Sequence, residues 1–63
     1  MKAKDAIEGQ LYDLPPKKSF PLGIKDAQCD GWNGLHTGIL FLTFNEFGKR
    51  TMLLLRPEEE INS

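Results

Sequence analysis

The side chains that could carry chemistry are few and lie close together in the sequence. The chain contains one cysteine and one histidine, Cys29 and His36, and Asp30 directly follows the cysteine. A thiol, an imidazole and a carboxylate are the parts of a nucleophile that is activated by an oriented base. They work together only if the surrounding strands bring all three to one place.

A two-residue hairpin turn at Asn33-Gly34 is the arrangement that the sequence favours, because both residues tolerate the positive φ of a type I′ turn. This turn places Cys29 opposite Gly38, with His36 diagonally beside the thiol on the same face. Asp30 then points to the opposite face, because successive strand residues alternate. The carboxylate could not orient the imidazole, so we expect no catalytic site and no enzyme activity.

Metal and cofactor binding find equally little support. Two soft ligands per chain fall short of the four that a closed zinc site requires. The glycines at positions 31 and 34 have no phosphate-loop context. A single cysteine also excludes an internal disulfide. We expect no metal, no cofactor and a reduced, buried thiol.

Nucleic-acid binding would need basic side chains interleaved with aromatic ones. The chain offers such residues in the proline-rich connector, in the middle turn and at the tip of the last hairpin: Lys17, Lys18, Trp32, Phe47, Lys49 and Arg50. The overall balance of eight basic and nine acidic residues is unlike the basic footprint of most nucleic-acid-binding domains. A single-stranded nucleic-acid-binding domain is therefore the alternative function, and it is not the favoured one.

The main positioning element is the stretch from His36 to Pro57, where two apolar runs flank the polar tetrapeptide Asn45-Glu46-Phe47-Gly48. This tetrapeptide predicts a type I turn with its glycine in the left-handed conformation, closing a β-hairpin with a bulge. The register then pairs the following residues: Phe44 with Arg50, Leu42 with Met52, Leu40 with Leu54, Gly38 with Arg56, Thr43 with Thr51, Phe41 with Leu53, and Ile39 with Leu55.

Both faces of this hairpin are apolar, whereas a strand with one wet face alternates apolar and polar residues. A chain of 63 residues has little else with which to cover two faces, and small domains often gain stability by association. We expect a homodimer, a higher oligomer or a hydrophobic protein partner. The predicted partner-binding residues are Trp32, Phe47, Arg50, Leu53 and Leu55. The competing hypothesis is a tight monomeric barrel around which residues 19–24 wrap.

The remaining segments complete a single domain, residues 1–63. Apolar residues at positions 3, 7, 11 and 14 share one side of a helix, which predicts a short helix over 1–14. Residues 15–24 form a proline-rich connector, 25–57 a three-stranded antiparallel meander, and 58–63 an acidic, solvated tail. Within the meander, Asp30-Gly31 is the competing turn.

The pentapeptide from Gln10 to Leu14, QLYDL, is similar to the short glutamine-leucine peptides that dock on bacterial sliding clamps. It lacks their terminal aromatic residue, because Pro15 follows. The resemblance implies a docking peptide, whereas the helical pattern needs the same leucine for packing.

Taken together, the patterns predict an α+β, mainly β fold in which a short helix packs on the meander, with a small SH3-like barrel as the alternative. The longest apolar run, GILFLTF, is far shorter than the ~20 residues that span a bilayer, and the first residues contain no secretory apolar stretch. We expect a cytoplasmic protein without membrane contact. Its predicted function is that of a small non-enzymatic interaction module, a regulator, adaptor or inhibitor of the kind that phages and mobile elements encode.

Overall fold

The computed structural model describes residues 1–45 and 47–62, so Glu46 and Ser63 lie outside the described residues. The fold is mainly β. Four strands form one open antiparallel sheet in the order β1-β2-β3-β4: β1 (Leu11–Leu14), β2 (Ile24–Trp32), β3 (Ile39–Phe44) and β4 (Arg50–Leu55). Within the described ranges, the helical content is a single 3₁₀ turn, Ala3–Asp5.

The predicted N-terminal helix is wrong. The helical stripe would bury Ile7 and Leu11, yet these side chains are 63% and 56% exposed. Gly9 has a φ of 91°, which ends any helical path there. Beyond it the chain enters β1, where burial alternates and only Tyr12 and Leu14 face the core. Pairing with β2 decided the conformation, because a short helix with an internal glycine has little intrinsic stability.

The predicted three-stranded meander is not matched, because the sheet has four strands. Strands β2, β3 and β4 lie between residues 24 and 55, and β1, from the segment predicted as a helix, pairs with β2. Six pairs of the predicted register of the β3–β4 hairpin are confirmed, from Phe44 opposite Arg50 to Ile39 opposite Leu55. Gly48 has the predicted positive φ, 77°. The carboxamide oxygen of Asn45 accepts hydrogen bonds from two backbone N–H groups across the turn. The predicted turn includes Glu46, which lies outside the described residues.

The predicted two-residue turn between β2 and β3 is wrong. Trp32 pairs with Ile39, and the six residues 33–38 form a loop. The side chain of Asn33 organises this loop, because its oxygen accepts hydrogen bonds from the backbone N–H groups of Thr37 and Gly38 at 2.8 and 3.2 Å. The glycine of the competing turn, at position 31, instead sits at a β-bulge within β2, with a φ of 83°.

The core lies on one side of the sheet, here called the inner face, which carries the buried side chains of Ile39, Phe41 and Leu55. The C-terminal segment, expected as a solvated tail, folds back over this core and buries Ile61. Asn62 pairs with Asp13 in an isolated antiparallel bridge. The chain ends thus approach β1, but the sheet remains open rather than closing into the SH3-like barrel that was the alternative fold.

Candidate interaction surface

The side of the sheet opposite the core, here called the outer face, is also apolar. Antiparallel partners share a face, so the chain of pairs Leu11–Gln28, Gln28–Leu42 and Leu42–Met52 crosses all four strands on this side. Gln28 is the single polar member of that row. The apolar residues of the outer face are Leu11, Leu40, Leu42, Phe44, Met52 and Leu54.

These side chains are accessible over much of their surface. Phe44 is 63% exposed, Leu54 56% and Met52 45%, while Leu40 and Leu42 are half-buried. Isolated exposed apolar residues are ordinary, but contiguous apolar patches commonly mark interaction surfaces. On β3 and β4 the outer face is such a patch, built on strands and not on a loop.

Two glycines allow close packing along the outer face. A Cβ on Gly38 would lie 2.7 Å from Leu54 Cδ1 and 2.6 Å from the carbonyl oxygen of Leu55, so the missing side chain lets Leu54 lie against the backbone. At the bulge, a Cβ on Gly31 would lie 2.7 Å from the carboxylate of Glu8. The apolar patch therefore has an acidic rim at Glu8 and a basic one at Arg50, which pairs with Phe44.

The predicted partner-binding residues divide between the two faces. Arg50 belongs to the outer face, but Leu53 and Leu55 lie on the inner face, partly buried and 3% exposed respectively. The exposed apolar residues of β4 are therefore Met52 and Leu54, each one position before a residue that the sequence predicted. The sequence did not identify these two residues because both faces of the hairpin are equally apolar.

Trp32 and Phe47 are both exposed but lie at opposite ends of the hairpin. Trp32 pairs with the first residue of β3, and Phe47 belongs to the turn beyond its last residue. Five residue steps at ~3.3 Å each separate those ends by roughly 17 Å. The predicted nucleic-acid-binding set is therefore not gathered at one place.

The basic members of that set have separate environments. Lys17 forms an ion pair with Glu59 at 2.6 Å, and its ammonium lies 5.6 Å from the centre of the Phe20 ring. Lys18 is exposed in the connector, and Lys49 and Arg50 are exposed at the hairpin tip. The charge of Lys17 is thus paired with a carboxylate of the C-terminal segment.

Cys29 and His36 are not brought together. Cys29 is 1% exposed and pairs with Phe41 on the inner face, whereas His36 lies in the 33–38 loop and stacks on Trp32 with ring centres 5.7 Å apart. Burial raises the pKa of the Cys29 thiol, which disfavours the reactive thiolate. Across the described ranges, no three His, Cys, Asp or Glu side chains cluster as metal ligands would.

A shallow cavity of about 440 Å³ lies where the connector meets the hairpin. Phe20 and Ile24 line one side and Thr43 and Leu53 the other, with Lys25 at the margin. Every buried side-chain nitrogen or oxygen in the described part of the chain has a hydrogen-bond partner. No unpartnered buried polar side-chain atom of the described residues therefore points to a ligand in this cavity.

The sliding-clamp resemblance also loses its support. Tyr12 and Leu14 are buried at 7% and 2% exposure, inside the domain core. The tyrosine hydroxyl accepts a hydrogen bond from the Ile7 backbone N–H at 2.8 Å. A docking peptide must present these side chains to a partner, but here they are packed in the core of the domain itself.

Within residues 1–45 and 47–62, no helix is long and apolar enough to cross a lipid bilayer. Comparisons of this chain with protein-family models, with curated proteins and with solved structures found no match.

Proposed function

We propose that this chain is a small non-enzymatic interaction module of the cytoplasm, a regulator, adaptor or inhibitor that binds a protein partner through its outer face. The observation that supports the proposal is the patch of apolar side chains on the outer face of β3 and β4, which Leu11 of β1 flanks beyond Gln28 of β2. Such modules act by occupying a surface that their partner needs for another contact. Phages and mobile elements commonly encode proteins of this size for that purpose.

The chemistry of the outer face suggests the kind of partner. Its centre, around Leu42 and Met52, fits an apolar protein surface, and interface cores are enriched in such residues. Arg50 at one rim favours a carboxylate on the partner, and Glu8 at the other favours a basic group. Phe44 and Leu54, the most exposed members of the patch in β3 and β4, are the expected anchors, because a few residues that become fully buried on binding carry most of the binding energy.

The experiment uses two variants with the same chemical change. Leu54→Asp places a charge on the outer face, whereas Leu22→Asp places the same charge in the connector, where the leucine is 96% exposed. Wild type and both variants are immobilised and used to capture proteins from extract of the native cell, after circular dichroism has shown that each variant is folded.

We expect a partner that binds wild type and Leu22→Asp but not Leu54→Asp. The partner, once purified, should bind wild type with a negative heat-capacity change, which is the signature of apolar burial. Capture of the same proteins by all three forms would contradict the proposal.

Single-stranded nucleic-acid binding stands as the alternative proposal. Trp32 and Phe47 lie too far apart to form one nucleic-acid-binding site. The nucleic acid would therefore have to bind the basic hairpin tip, with Lys49 and Arg50, alone. Oligonucleotide binding that weakens steeply as salt rises would support it. Loss of that binding in Lys49→Ala with Arg50→Ala would locate it.

A further inference from the structure

The two edge strands of the sheet differ in their backbone hydrogen bonding. At the β1 edge, Asp13 and Asn62 exchange two backbone hydrogen bonds of 3.0 and 2.9 Å, so the C-terminal segment occupies part of that edge. At the β4 edge, β3 is the only strand partner, and no backbone bond joins Arg50–Leu55 to any other part of the described chain. The backbone groups on the far side of β4 are therefore unpaired.

The hairpin register shows which residues these are. The backbone N–H of Asn45 donates to the carbonyl of Lys49 at 3.0 Å, so this pair is hydrogen-bonded. Hydrogen-bonded and non-hydrogen-bonded pairs alternate along an antiparallel ladder. Bonds to β3 therefore fall on the residues at positions 51, 53 and 55, while Arg50, Met52 and Leu54 direct their N–H and C=O groups away from the sheet.

β4 also lacks the features that usually protect an edge strand. Such strands typically carry a proline, a bulge or an inward-pointing charge that prevents pairing with another chain. The sequence RTMLLL of β4 contains no proline, and its register with β3 is unbroken over six consecutive pairs. Its only charge is Arg50, at one end. The strand is regular, apolar and open to a partner strand.

We propose that the β4 edge pairs with the β4 edge of a second copy of this chain, antiparallel and around a two-fold axis at Met52. In this register Met52 lies opposite its counterpart, and Arg50 lies opposite the second copy's Leu54. All of these residues point their backbone groups outward, so each can form hydrogen bonds across the axis.

The competing registers are less favourable. Placing the axis at Leu53 sets Arg50 against Arg56 of the second copy, which brings like charges together. Shifting the pairing by a single residue sets inner-face side chains beside outer-face ones, which breaks the continuity of both faces. The chosen register instead joins two four-stranded sheets into one, with both outer faces on the same side.

The pairing uses backbone groups of the edge and does not depend on the proposed binding function of the outer face. It supplies the reinforcement by association that small domains commonly need. It also doubles the width of the apolar surface that a partner would meet. The two-fold register at Met52 follows from the sequence and register of this strand.

The decisive test replaces one backbone donor. Met52→Pro removes an N–H that points away from the sheet, a position at which edge strands tolerate proline. The matched control, Leu53→Pro, removes an N–H that bonds to β3 and should unfold the hairpin. Sedimentation equilibrium over a wide concentration range should show two-chain particles for wild type and single chains for folded Met52→Pro.

A second variant and a second measurement keep the test sound if proline disturbs the fold. Met52→Lys leaves the backbone intact but sets two ammonium groups against each other at the two-fold axis, and it should give a folded monomer. In wild type, amide hydrogen exchange at Met52 and Leu54 should slow as protein concentration rises. Exchange at Thr51 and Leu53, which bond within the chain, should not change.

Wild type that stays monomeric at hundreds of micromolar, with fast exchange at Met52, would overturn the pairing. Association that persists in folded Met52→Pro or Met52→Lys would also overturn it and would assign the contact to another surface. The proposed function fails separately. Leu54→Asp sets a carboxylate opposite Arg50 of the second copy and should retain the dimer while losing the captured partner.

Discussion

The two faces of the β3–β4 hairpin are built from the same kinds of residue and have different fates. On the inner face, Phe41 is 0% exposed and Leu55 is 3% exposed. On the outer face, Phe44 of the same strand as Phe41 and Leu54 of the same strand as Leu55 are more than half exposed. Residue type cannot explain this difference. The inner face is covered by other segments of the chain, whereas the outer-face side chains of β3 and β4 all remain at least partly exposed.

The cover of the inner face is assembled from the two ends of the chain. The backbone N–H of Ala3 donates to the carbonyl of Glu59 at 2.8 Å, and that of Ile61 donates to Met1 at 2.8 Å. Outside this layer, Lys2 and Lys4 both pair with Glu58. Backbone bonds and buried Ile61 therefore close the core, while the exposed ion pairs add comparatively little.

The contrast between the two faces is tested most directly by introducing the same charge, in separate variants, at two adjacent leucines of β4. Leu55→Lys buries an unpaired ammonium in the core and should abolish folding, because such burial costs several kcal/mol or more and small domains have little stability to lose. Leu54→Lys should leave the fold intact. Circular dichroism and amide chemical-shift dispersion distinguish the two, and equal unfolding by both would remove the distinction between the faces.

The same comparison with phenylalanines gives a graded result. Phe41 packs edge-on against Tyr12, with ring centres 6.3 Å apart. Phe41→Ala should lower the free energy of unfolding by about 3–5 kcal/mol, the usual cost of truncating a buried aromatic residue. Phe44→Ala should change it by no more than about 0.5 kcal/mol, as at other surface positions. Urea denaturation measures both, and similar losses would show that the outer face also belongs to the core.

The cover of the inner face can be weakened without altering the sheet. Ile61→Ala should lower the free energy of unfolding by about 2 kcal/mol, within the usual range for truncating a buried isoleucine. The neighbouring Asn62 is exposed, and its side chain can be truncated in Asn62→Ala with little loss, because its bonds to Asp13 come from the backbone. Thermal unfolding compares the two variants. A negligible effect of Ile61→Ala would show that the C-terminal segment is dispensable.

The smallest expected effect concerns the ionic part of that cover. Burial by itself would raise the pKa of the Glu59 carboxyl, but hydrogen bonds from Lys17 and from the Arg56 backbone N–H outweigh it and lower the pKa below its usual 4.5. Glu59 therefore stabilises the fold above pH 4.5, and this contribution disappears as pH falls through the lower folded-state value.

The matching measurement compares wild type with Glu59→Gln at neutral pH and at about pH 3. Wild type should be more stable at neutral pH by an amount below about 1 kcal/mol, as for other solvent-accessible ion pairs, and the difference should become smaller in acid. A difference that persists unchanged at low pH would mean that the hydrogen bonds of Glu59 do not depend on its charge.

Local patterns predicted the hairpin well because its register is fixed by adjacent residues. Asn45 and Gly48 determine the turn, and the turn determines six pairs along β3 and β4. The loop between β2 and β3 was predicted less well, because the side chain of Asn33 reaches the backbone at positions 37 and 38. Its Asn-Gly dipeptide is equally typical of a tighter turn, so the dipeptide alone cannot distinguish them.

The N-terminal segment shows where periodicity fails. Its apolar residues fit a helix, but Tyr12 and Leu14 also fit a strand, and only the presence of β2 beside them selects the strand. The residues of the candidate surface were also only partly predictable from local patterns. The sequence predicted an apolar interaction face on the hairpin, but it divided the expected residues between Arg50 on the outer side and Leu55 on the inner one.

The sequence by itself determined the position of the hairpin, its register and the apolar character of both its faces, since these depend on residues close together along the chain. Only the tertiary structure decided which face became the core and which edge stayed open. Those choices depend on contacts such as the Lys2–Glu60 and Asp13–Asn62 bridges, which join segments from opposite ends of the chain. No local pattern records them, because their free energy arises only when the whole chain has folded.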